Sequence, residues 1–162
     1  MNVESEPGQG ARFTISLPLI PAPAPQASAG RLGQIPCGCG TVLVADDEPL
    51  VRAFAEAGLK GLGYQVLVAE NGKQALEIYE HHRGEIDCIL LDLIMPELSG
   101  LETYRRMRAV DPQVRVVFAS GYSTGGILRD APDARAAEFI GKPYTLEGLS
   151  IALRKAGMGR LR

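Results

Sequence analysis

The chain has 162 residues, of which 46% are hydrophobic and 22% charged, so it is long enough for one compact domain with a core and additional segments. Its 17 basic and 19 acidic residues give a net charge of −2, and no run of Lys and Arg forms a local basic patch, which argues against direct binding to nucleic acid. The longest apolar stretches have the length of strands and the first residues lack a signal-peptide pattern, so we expect a cytoplasmic segment without membrane contact.

The composition changes sharply after the first 20 residues. Before that point a glycine-containing turn cluster is followed by Phe13, Ile15 and Leu17, which alternate with polar residues as in a half-buried strand. Residues 21–40 are rich in Pro, Ala and Gly, a composition that does not build a packed core and that predicts a linker. A folded domain is therefore expected after the linker.

From Thr41 onward, apolar runs of strand length alternate with helical patterns. Strands are predicted at residues 41–45, 64–69, 86–91, 114–119 and 138–141. Between them apolar residues recur at helical spacing, and the last helix is predicted to end near Gly157. This alternation predicts an α/β fold, a doubly wound five-stranded parallel sheet with helices on both faces.

One helix of this pattern is weakly predicted. Between Ser120 and Glu138 it would have to contain Gly125, Gly126 and Pro132. Each of these residues lowers helix stability, and an interior proline costs about 3 kcal/mol. We therefore expect this helix to be short, displaced or frayed.

Acidic residues stand where two of the predicted strands end. Asp46 and Asp47 follow the first strand, and Asp92 closes the third. Since the carboxyl ends of parallel strands share one edge of the sheet, the three carboxylates are predicted to meet in one pocket. Crowded carboxylates repel one another, and a site made of oxygen ligands suits Mg²⁺, which keeps waters and accepts phosphate oxygens. This edge is a candidate site for phosphoryl chemistry.

Two further strand ends supply a hydroxyl and a cation, because Ser120 follows the fourth strand and Lys142 the fifth. The segments at these strand ends are DDE at 46–48, DLIMPELSG at 92–100, SGY at 120–122 and KPY at 142–144. In this order and spacing they resemble the receiver domain of response regulators in two-component signalling. The likeness extends from residue 41 to about 158 and implies a flavodoxin-like sheet with the strand order 2-1-3-4-5.

The resemblance implies roles for the residues that take part in phosphoryl transfer. Asp92 is the implied phosphoacceptor, and Lys142 and Ser120 are implied to contact the phosphoryl oxygens. A carboxylate is a competent nucleophile towards phosphorus once a metal neutralises the incoming oxygens. Phe139 holds the position of a switch aromatic whose rotamer changes together with Ser120. A cis peptide bond before Pro143 is also implied, turning the lysine inward.

The same resemblance implies a Mg²⁺ site made by Asp46, Asp47, Asp92 and the backbone carbonyl of Ile94. By its place in the motif, Asp47 is the better candidate for a direct ligand than Asp46. Either of these two aspartates could instead cap the helix that opens near Pro49, and capping and metal binding are compatible.

The strand pattern before the linker resembles the last strand of a histidine-kinase ATP-binding domain, although Ala11 stands where Thr or Ser is more usual. Residues 1–20 would then be a remnant of that domain, residues 21–40 a linker and residues 41–158 the receiver. The chain would be the carboxyl-terminal part of a hybrid sensor histidine kinase, and the parent a transferase. A disordered or cloning-derived tail is the alternative for the first segment.

The receiver interpretation implies a partner that carries phosphohistidine, either a histidine kinase or a phosphotransfer domain, and a monomer or weak dimer. Two other functions remain open. A Mg²⁺-dependent phosphatase of the haloacid-dehalogenase type also uses a strand-end aspartate, but it requires Asp-x-Asp where this chain has Asp46-Asp47-Glu48. An interaction-only pseudo-receiver would keep the pocket without the chemistry. Mg²⁺-dependent formation of an acyl phosphate distinguishes the three.

Overall fold

A computed structural model describes residues 2–6, 8, 10–14, 38–121 and 137–158. The chain divides into two units, Met1–Gly33 and Gln34–Arg162, and each is described by itself.

The first unit contains an antiparallel hairpin made of β1 (Asn2–Glu6) and β2 (Gly10–Thr14). Gly8 in the connecting turn and Gly10 at the start of β2 have φ angles of 82° and 86°, a left-handed region that glycine enters without steric cost. The predicted turn and part of the predicted strand are thus present, whereas Ile15 and Leu17 lie outside the described residues.

The second unit is built on a five-stranded parallel sheet. Its strands are β3 (Thr41–Ala45), β4 (Gln65–Ala69), β5 (Ile86–Asp92), β6 (Val116–Ser120) and β7 (Glu138–Gly141). Their spatial order is β4-β3-β5-β6-β7, which is 2-1-3-4-5 when the strands of this unit are numbered from its first. The predicted α/β class and strand order are confirmed.

Three of the four described helices connect strands, and the fourth follows the last strand. The helices are α1 (Pro49–Gly61), α2 (Gly72–His81), α3 (Gly100–Val110) and α4 (Leu146–Lys155). Three of the helices have an N-cap residue whose side chain accepts a backbone N–H of the first turn, namely Asn71, Ser99 and Thr145. The helix expected between Ser120 and Glu138 falls on residues 122–136, outside the described part of the chain. None of the described helices combines the length and the apolar composition needed to cross a bilayer.

Apolar clusters cover both faces of the sheet. Leu43 and Phe118 pack on one face against residues of α2 and α3, whereas Val42 and Val44 pack on the other against residues of α1 and α4. Successive residues of a strand point to opposite faces, so a strand covered on both sides needs an uninterrupted apolar run. This explains the sequence TVLVA of β3, and the rigid sheet then holds its carboxyl ends in fixed positions.

Candidate functional site at the carboxyl edge of the sheet

The carboxyl edge of the sheet brings together acidic and basic residues from separate parts of the chain. Asp46 follows β3 directly, Asp92 is the last residue of β5, and Lys142 follows β7. Carboxylate oxygens of Asp46, Asp47 and Asp92 lie within 4.8 Å of one another. The parallel pairing of β3 with β5 produces this arrangement, because it places the two strand ends side by side.

The ammonium of Lys142 joins two of these acids. Its Nζ donates to Oδ2 of Asp46 at 2.7 Å and to Oδ2 of Asp92 at 2.8 Å. The backbone amide of Lys142 donates to the carbonyl of Ser120 at 2.8 Å, which continues the pairing of β6 with β7, and the Lys142–Pro143 bond is cis as predicted. Lys142 is therefore the shared counter-ion of two acids that are only 2% and 6% exposed.

The electrostatics of the pocket are unbalanced. Burial is the largest influence on the pKa of Asp92 and raises it, the hydrogen bond and charge of Lys142 lower it, and the charge of Asp46 raises it again; the net direction is upward. Burial lowers the pKa of Lys142, but its hydrogen bonds to Asp46 and Asp92 outweigh that influence and raise it. One ammonium therefore compensates the three carboxylates incompletely, and a further cation would be attracted.

The alternative in which Asp46 or Asp47 caps helix α1 is wrong. The N-cap residue is Glu48, which makes no side-chain capping bond, and a proline occupies the first turn of the helix. Oδ1 of Asp46 instead accepts the backbone N–H of Glu48 at 3.0 Å, a local turn between residues two apart. This bond aims the second carboxylate oxygen of Asp46 at Lys142 rather than at the helix.

The loop after Asp92 packs tightly against the start of α3. The backbone N–H of Ile94 lies 3.4 Å from Oδ1 of Asp92, and the Ile94 side chain is 61% exposed beside the pocket. A Cβ at Gly100 would lie 2.0 Å from the carbonyl oxygen of Asp92, and the Gly100 amide donates to Leu93 at 3.1 Å. Gly100 therefore allows helix α3 to approach the backbone of Asp92. The motif alone gave no reason why glycine is needed at this position.

Ser120 and Phe139 lie on neighbouring strands. Ser120 is buried at the end of β6, and Phe139 in β7 is paired with Phe118. The rings of Phe118 and Phe139 have centroids 5.3 Å apart, so Phe139 packs on the apolar cluster of the α2 and α3 face. The structure thus places the predicted switch aromatic against the core in this conformation.

Sequence reasoning missed an apolar surface beside the pocket. Leu50 and Phe54 of α1 are 80% and 46% exposed, and with Pro143 and Tyr144 they border a cavity of about 500 Å³ next to Lys142. The Tyr144 hydroxyl is buried without a hydrogen-bond partner among the described residues, and burial together with the charge of Asp46 raises its pKa to about 12. A pattern of exposed Leu and Phe on one helical face was the available signal.

Sequence comparison places residues 42–154 within the family model of the response regulator receiver domain. The chain is 32% identical over 161 residues to the sensor kinase CckA of Brucella abortus (strain 2308), an alignment that covers 94% of this chain but only 17% of that protein. It is 31% identical over 115 residues to the chemotaxis protein CheY of Bacillus subtilis (strain 168), covering 70% of this chain and 94% of CheY.

Solved structures agree with this result. The receiver domain of the hybrid histidine kinase CckA is 32% identical with a TM-score of 0.61, and it aligns over 72% of this chain and 98% of its own. The response regulator TrrA of Thermotoga maritima, solved in complex with Mg²⁺ and BeF, is 30% identical with a TM-score of 0.63 over the same shares of the two chains. With the family matched in sequence and in fold, the chain belongs to the response regulator receiver domains of two-component signalling.

Proposed function

We propose that residues 41–158 form a phosphoacceptor receiver that takes a phosphoryl group from a phosphohistidine onto Asp92. The observation that carries the proposal is the contact of Lys142 with both Asp92 and Asp46, in a cluster that also includes Asp47. Phosphoryl transfer to an aspartate requires a nucleophilic carboxylate, a cation that contacts the phosphoryl oxygens, and further acidic residues that can bind a metal ion.

In the proposed transfer, a carboxylate oxygen of Asp92 forms a bond to phosphorus while the bond between phosphorus and the histidine nitrogen breaks. The nitrogen keeps the electron pair of that bond. Lys142 and Ser120 would contact the phosphoryl oxygens, Lys142 as a point charge and Ser120 as a hydroxyl donor. Later attack of water on phosphorus would release inorganic phosphate and restore the Asp92 carboxylate.

The residues present fit a divalent cation, because three carboxylates meet within 4.8 Å and a single ammonium contacts two of them. Asp46, Asp47, Asp92 and the carbonyl of Ile94 would hold Mg²⁺. When bound, Mg²⁺ supplies positive charge that makes the phosphoryl oxygens tolerable beside carboxylates. The TrrA complex with Mg²⁺ and BeF supports this choice of metal.

The conformational response would pass through Ser120 and Phe139. In the proposed switch, Ser120 moves towards the phosphoryl group and Phe139 fills the space that it leaves. The contact of Phe139 with Phe118 supports this proposal, since Phe118 lies on the same strand as Ser120, two residues before it. The free energy of such a switch is limited by the difference between the contacts made in the two states.

We further propose that the partner is a histidine kinase or a phosphotransfer domain in the cytoplasm, and that this segment is a monomer or weak dimer that binds no nucleic acid. The exposed apolar surface of Leu50, Phe54 and Pro143 borders the opening beside Lys142. A partner that delivers phosphohistidine to Asp92 would cover it. The net charge of −2 is consistent with a protein partner rather than DNA.

The wider context that we propose is a hybrid sensor histidine kinase. The match to sensor kinase CckA covers 94% of this chain, whereas the match to CheY covers 70%. The additional similarity therefore includes the segments before residue 41, which supports a kinase-domain remnant at residues 1–20 and a linker at 21–40. Purified parent protein supplied with ATP should phosphorylate Asp92, and a parent that never labels this segment would contradict the context.

The decisive experiment uses a small phosphodonor and intact-mass measurement. In the presence of Mg²⁺ the wild-type chain should gain one phosphoryl group, and chelation of Mg²⁺ or the substitution Asp92→Asn should abolish the gain. Asp87→Asn is the matched control, because Asp87 lies in the same strand at the opposite end, where it accepts the amide of Thr41 at 2.9 Å. This variant should be phosphorylated normally.

The same measurement separates the alternatives. An Asp92→Asn chain that gains phosphate at the wild-type rate would show that another residue is the acceptor. No gain in the wild type would favour an interaction-only pseudo-receiver. Rapid turnover of the phosphodonor would favour a phosphatase of the haloacid-dehalogenase type, which the family assignment to receivers counts against.

A further inference from the structure

Helix α1 carries an arginine that reaches back to the acidic loop. Nη1 of Arg52 donates to the backbone carbonyl oxygen of Asp46 at 2.6 Å, and the residue is half-buried. A guanidinium makes a short, charge-assisted bond of this kind stronger than a neutral one. The carbonyl belongs to the peptide group that links Asp46 to Asp47, so the bond fixes the orientation of the backbone from which Asp47 extends.

The remaining polar groups of Asp46 are held by other parts of the molecule. Its amide donates to the carbonyl of Ala69 at 3.2 Å, and its carboxylate oxygens accept from Glu48 at 3.0 Å and from Lys142 at 2.7 Å. The backbone carbonyl of Asp46 is the polar group that Arg52 holds, by donating an N–H to it. Within the described residues, no other side chain forms a hydrogen bond to this peptide group.

Asp47 contrasts with Asp46. Its side chain is exposed, and among the described residues its carboxylate accepts no hydrogen bond. Its carboxylate nevertheless lies within 4.8 Å of those of Asp46 and Asp92. Because the side chain is not held directly, the backbone must keep it in the cluster, and the bond from Arg52 restrains that backbone.

We infer that Arg52 is a positioning residue for the divalent-cation site, acting through the peptide between Asp46 and Asp47; this rests on the proposed function. Arg52 is cationic, so its charge by itself repels a metal ion, whereas its hydrogen bond assembles the ligands. The two effects have opposite signs. The direction of the change in Mg²⁺ affinity therefore distinguishes positioning from simple charge.

The test is calorimetric titration of the full chain with Mg²⁺ at constant ionic strength. Arg52→Met should weaken binding about tenfold or more, the range typical when a partner of a metal ligand is removed. Lys60→Met is the control: it removes a positive charge from the same helix, where Lys60 pairs with Glu56 at 2.6 Å on the exposed surface. This control should bind Mg²⁺ as tightly as the wild type or slightly tighter.

Arg52→Lys is the second variant, since lysine keeps the positive charge and can still donate an N–H. It should recover part of the affinity lost in Arg52→Met. A second readout needs no metal: the amide NMR signals of Asp47 and Glu48 should shift and exchange faster in Arg52→Met. Urea unfolding of each variant verifies that the titrated protein is folded. If Arg52→Met does not fold, Arg52→Lys is compared with the wild type instead.

The outcomes separate this inference from the proposed function. Unchanged or tighter Mg²⁺ binding in folded Arg52→Met, with unaltered amide signals, would overturn the positioning role alone. A wild-type chain that binds no Mg²⁺ would overturn both the positioning role and the cation site. Weakened binding in Arg52→Met supports the role even if Asp92 never accepts a phosphoryl group.

Discussion

The apolar interior of the sheet and its carboxyl edge are built from the same strands but are governed by opposite energetics. Val42 and Leu43 are fully buried between helices, where removal from water stabilises the fold. At the carboxyl ends of β3 and β5, Asp46 and Asp92 are also buried, and there burial raises the pKa of Asp92. The interior maintains the fold, and the edge keeps a charged site at the expense of stability.

The largest effect should come from the interior. Phe118 is fully buried, and its ring centroid lies 5.3 Å from those of Tyr104 and Phe139. Phe118→Ala should therefore lower the free energy of unfolding by about 3–5 kcal/mol, through lost burial and a cavity. Urea unfolding measures this change. A loss below about 1 kcal/mol would mean that the neighbouring rings collapse into the space.

The edge should respond in the opposite way. Asp92→Asn should abolish phosphorylation and leave the chain at least as stable at neutral pH, because it removes a carboxylate whose pKa is raised by burial despite the bond from Lys142. A raised pKa means that the folded state holds the proton more tightly. Without Mg²⁺, the wild type should lose stability relative to Asp92→Asn as the pH rises from about 4 through the folded pKa.

Unfolding measured across this pH range, with Mg²⁺ chelated, provides the check. Asp87→Asn at the other end of the same strand serves as the control. A variant Asp92→Asn that is clearly less stable than the wild type at pH 7 would show that Asp92 stabilises the fold, contrary to the contrast between interior and edge.

A carboxylate outside the site should show the reverse pH dependence. The Tyr79 hydroxyl donates to Oδ2 of Asp111 at 2.7 Å, and this bond, followed by the amide of Gln113, lowers the pKa of Asp111. Tyr79→Phe should cost about 1 kcal/mol at pH 7. A lowered pKa gives its full stabilisation only at a pH above the pKa of the unfolded state, which is about 4 for Asp. The difference in the free energy of unfolding between the wild type and Tyr79→Phe should therefore shrink as the pH falls through the pKa of Asp111 in the folded state.

Acid unfolding curves of the two proteins test this expectation. If the stability difference between wild type and Tyr79→Phe stayed constant from pH 7 to acid, the bond would not depend on ionised Asp111. Such a result would also weaken the distinction between Asp111, whose pKa is lowered and which stabilises the fold, and Asp92, whose pKa is raised.

The smallest effect is expected in the loop beside the site. Glu97 has a φ of 65°, a left-handed conformation that favours glycine. Its carboxylate forms an ion pair with Lys73 at 2.6 Å, in which both side chains are exposed to solvent. Glu97→Gly should raise the free energy of unfolding by about 0.5–1 kcal/mol, since the steric cost outweighs the exposed pair. Thermal unfolding measures the gain, with Lys73→Met as the control for the ion pair.

A decrease in melting temperature for Glu97→Gly would mean that the carboxylate has a role beyond the exposed pair. Phosphorylation should be unaffected, because the backbone of the loop is already in the conformation that glycine prefers.

Local sequence signals predicted most of the second unit. The strand β3 and the carboxylates that follow it were correctly predicted because a strand covered on both faces must be continuously apolar and must end at polar residues. The strand β1, with the sequence NVESE, was missed because it carries no apolar alternation and forms only by pairing with β2. Propensity is a weak guide where a partner strand decides the conformation.

The sequence by itself determined the alternation of strands and helices and the acids at the strand ends, since these depend on residue type and on neighbours along the chain. Tertiary structure decided the geometry of the site. It selected Lys142 as the shared counter-ion of Asp46 and Asp92, placed Arg52 on the Asp46 carbonyl, and brought Gly100 against the backbone of Asp92. Hydrogen bonds and close approaches require distances that are correct to within a few tenths of an ångström, between elements far apart in sequence. Only the packing of the sheet and helices sets those distances.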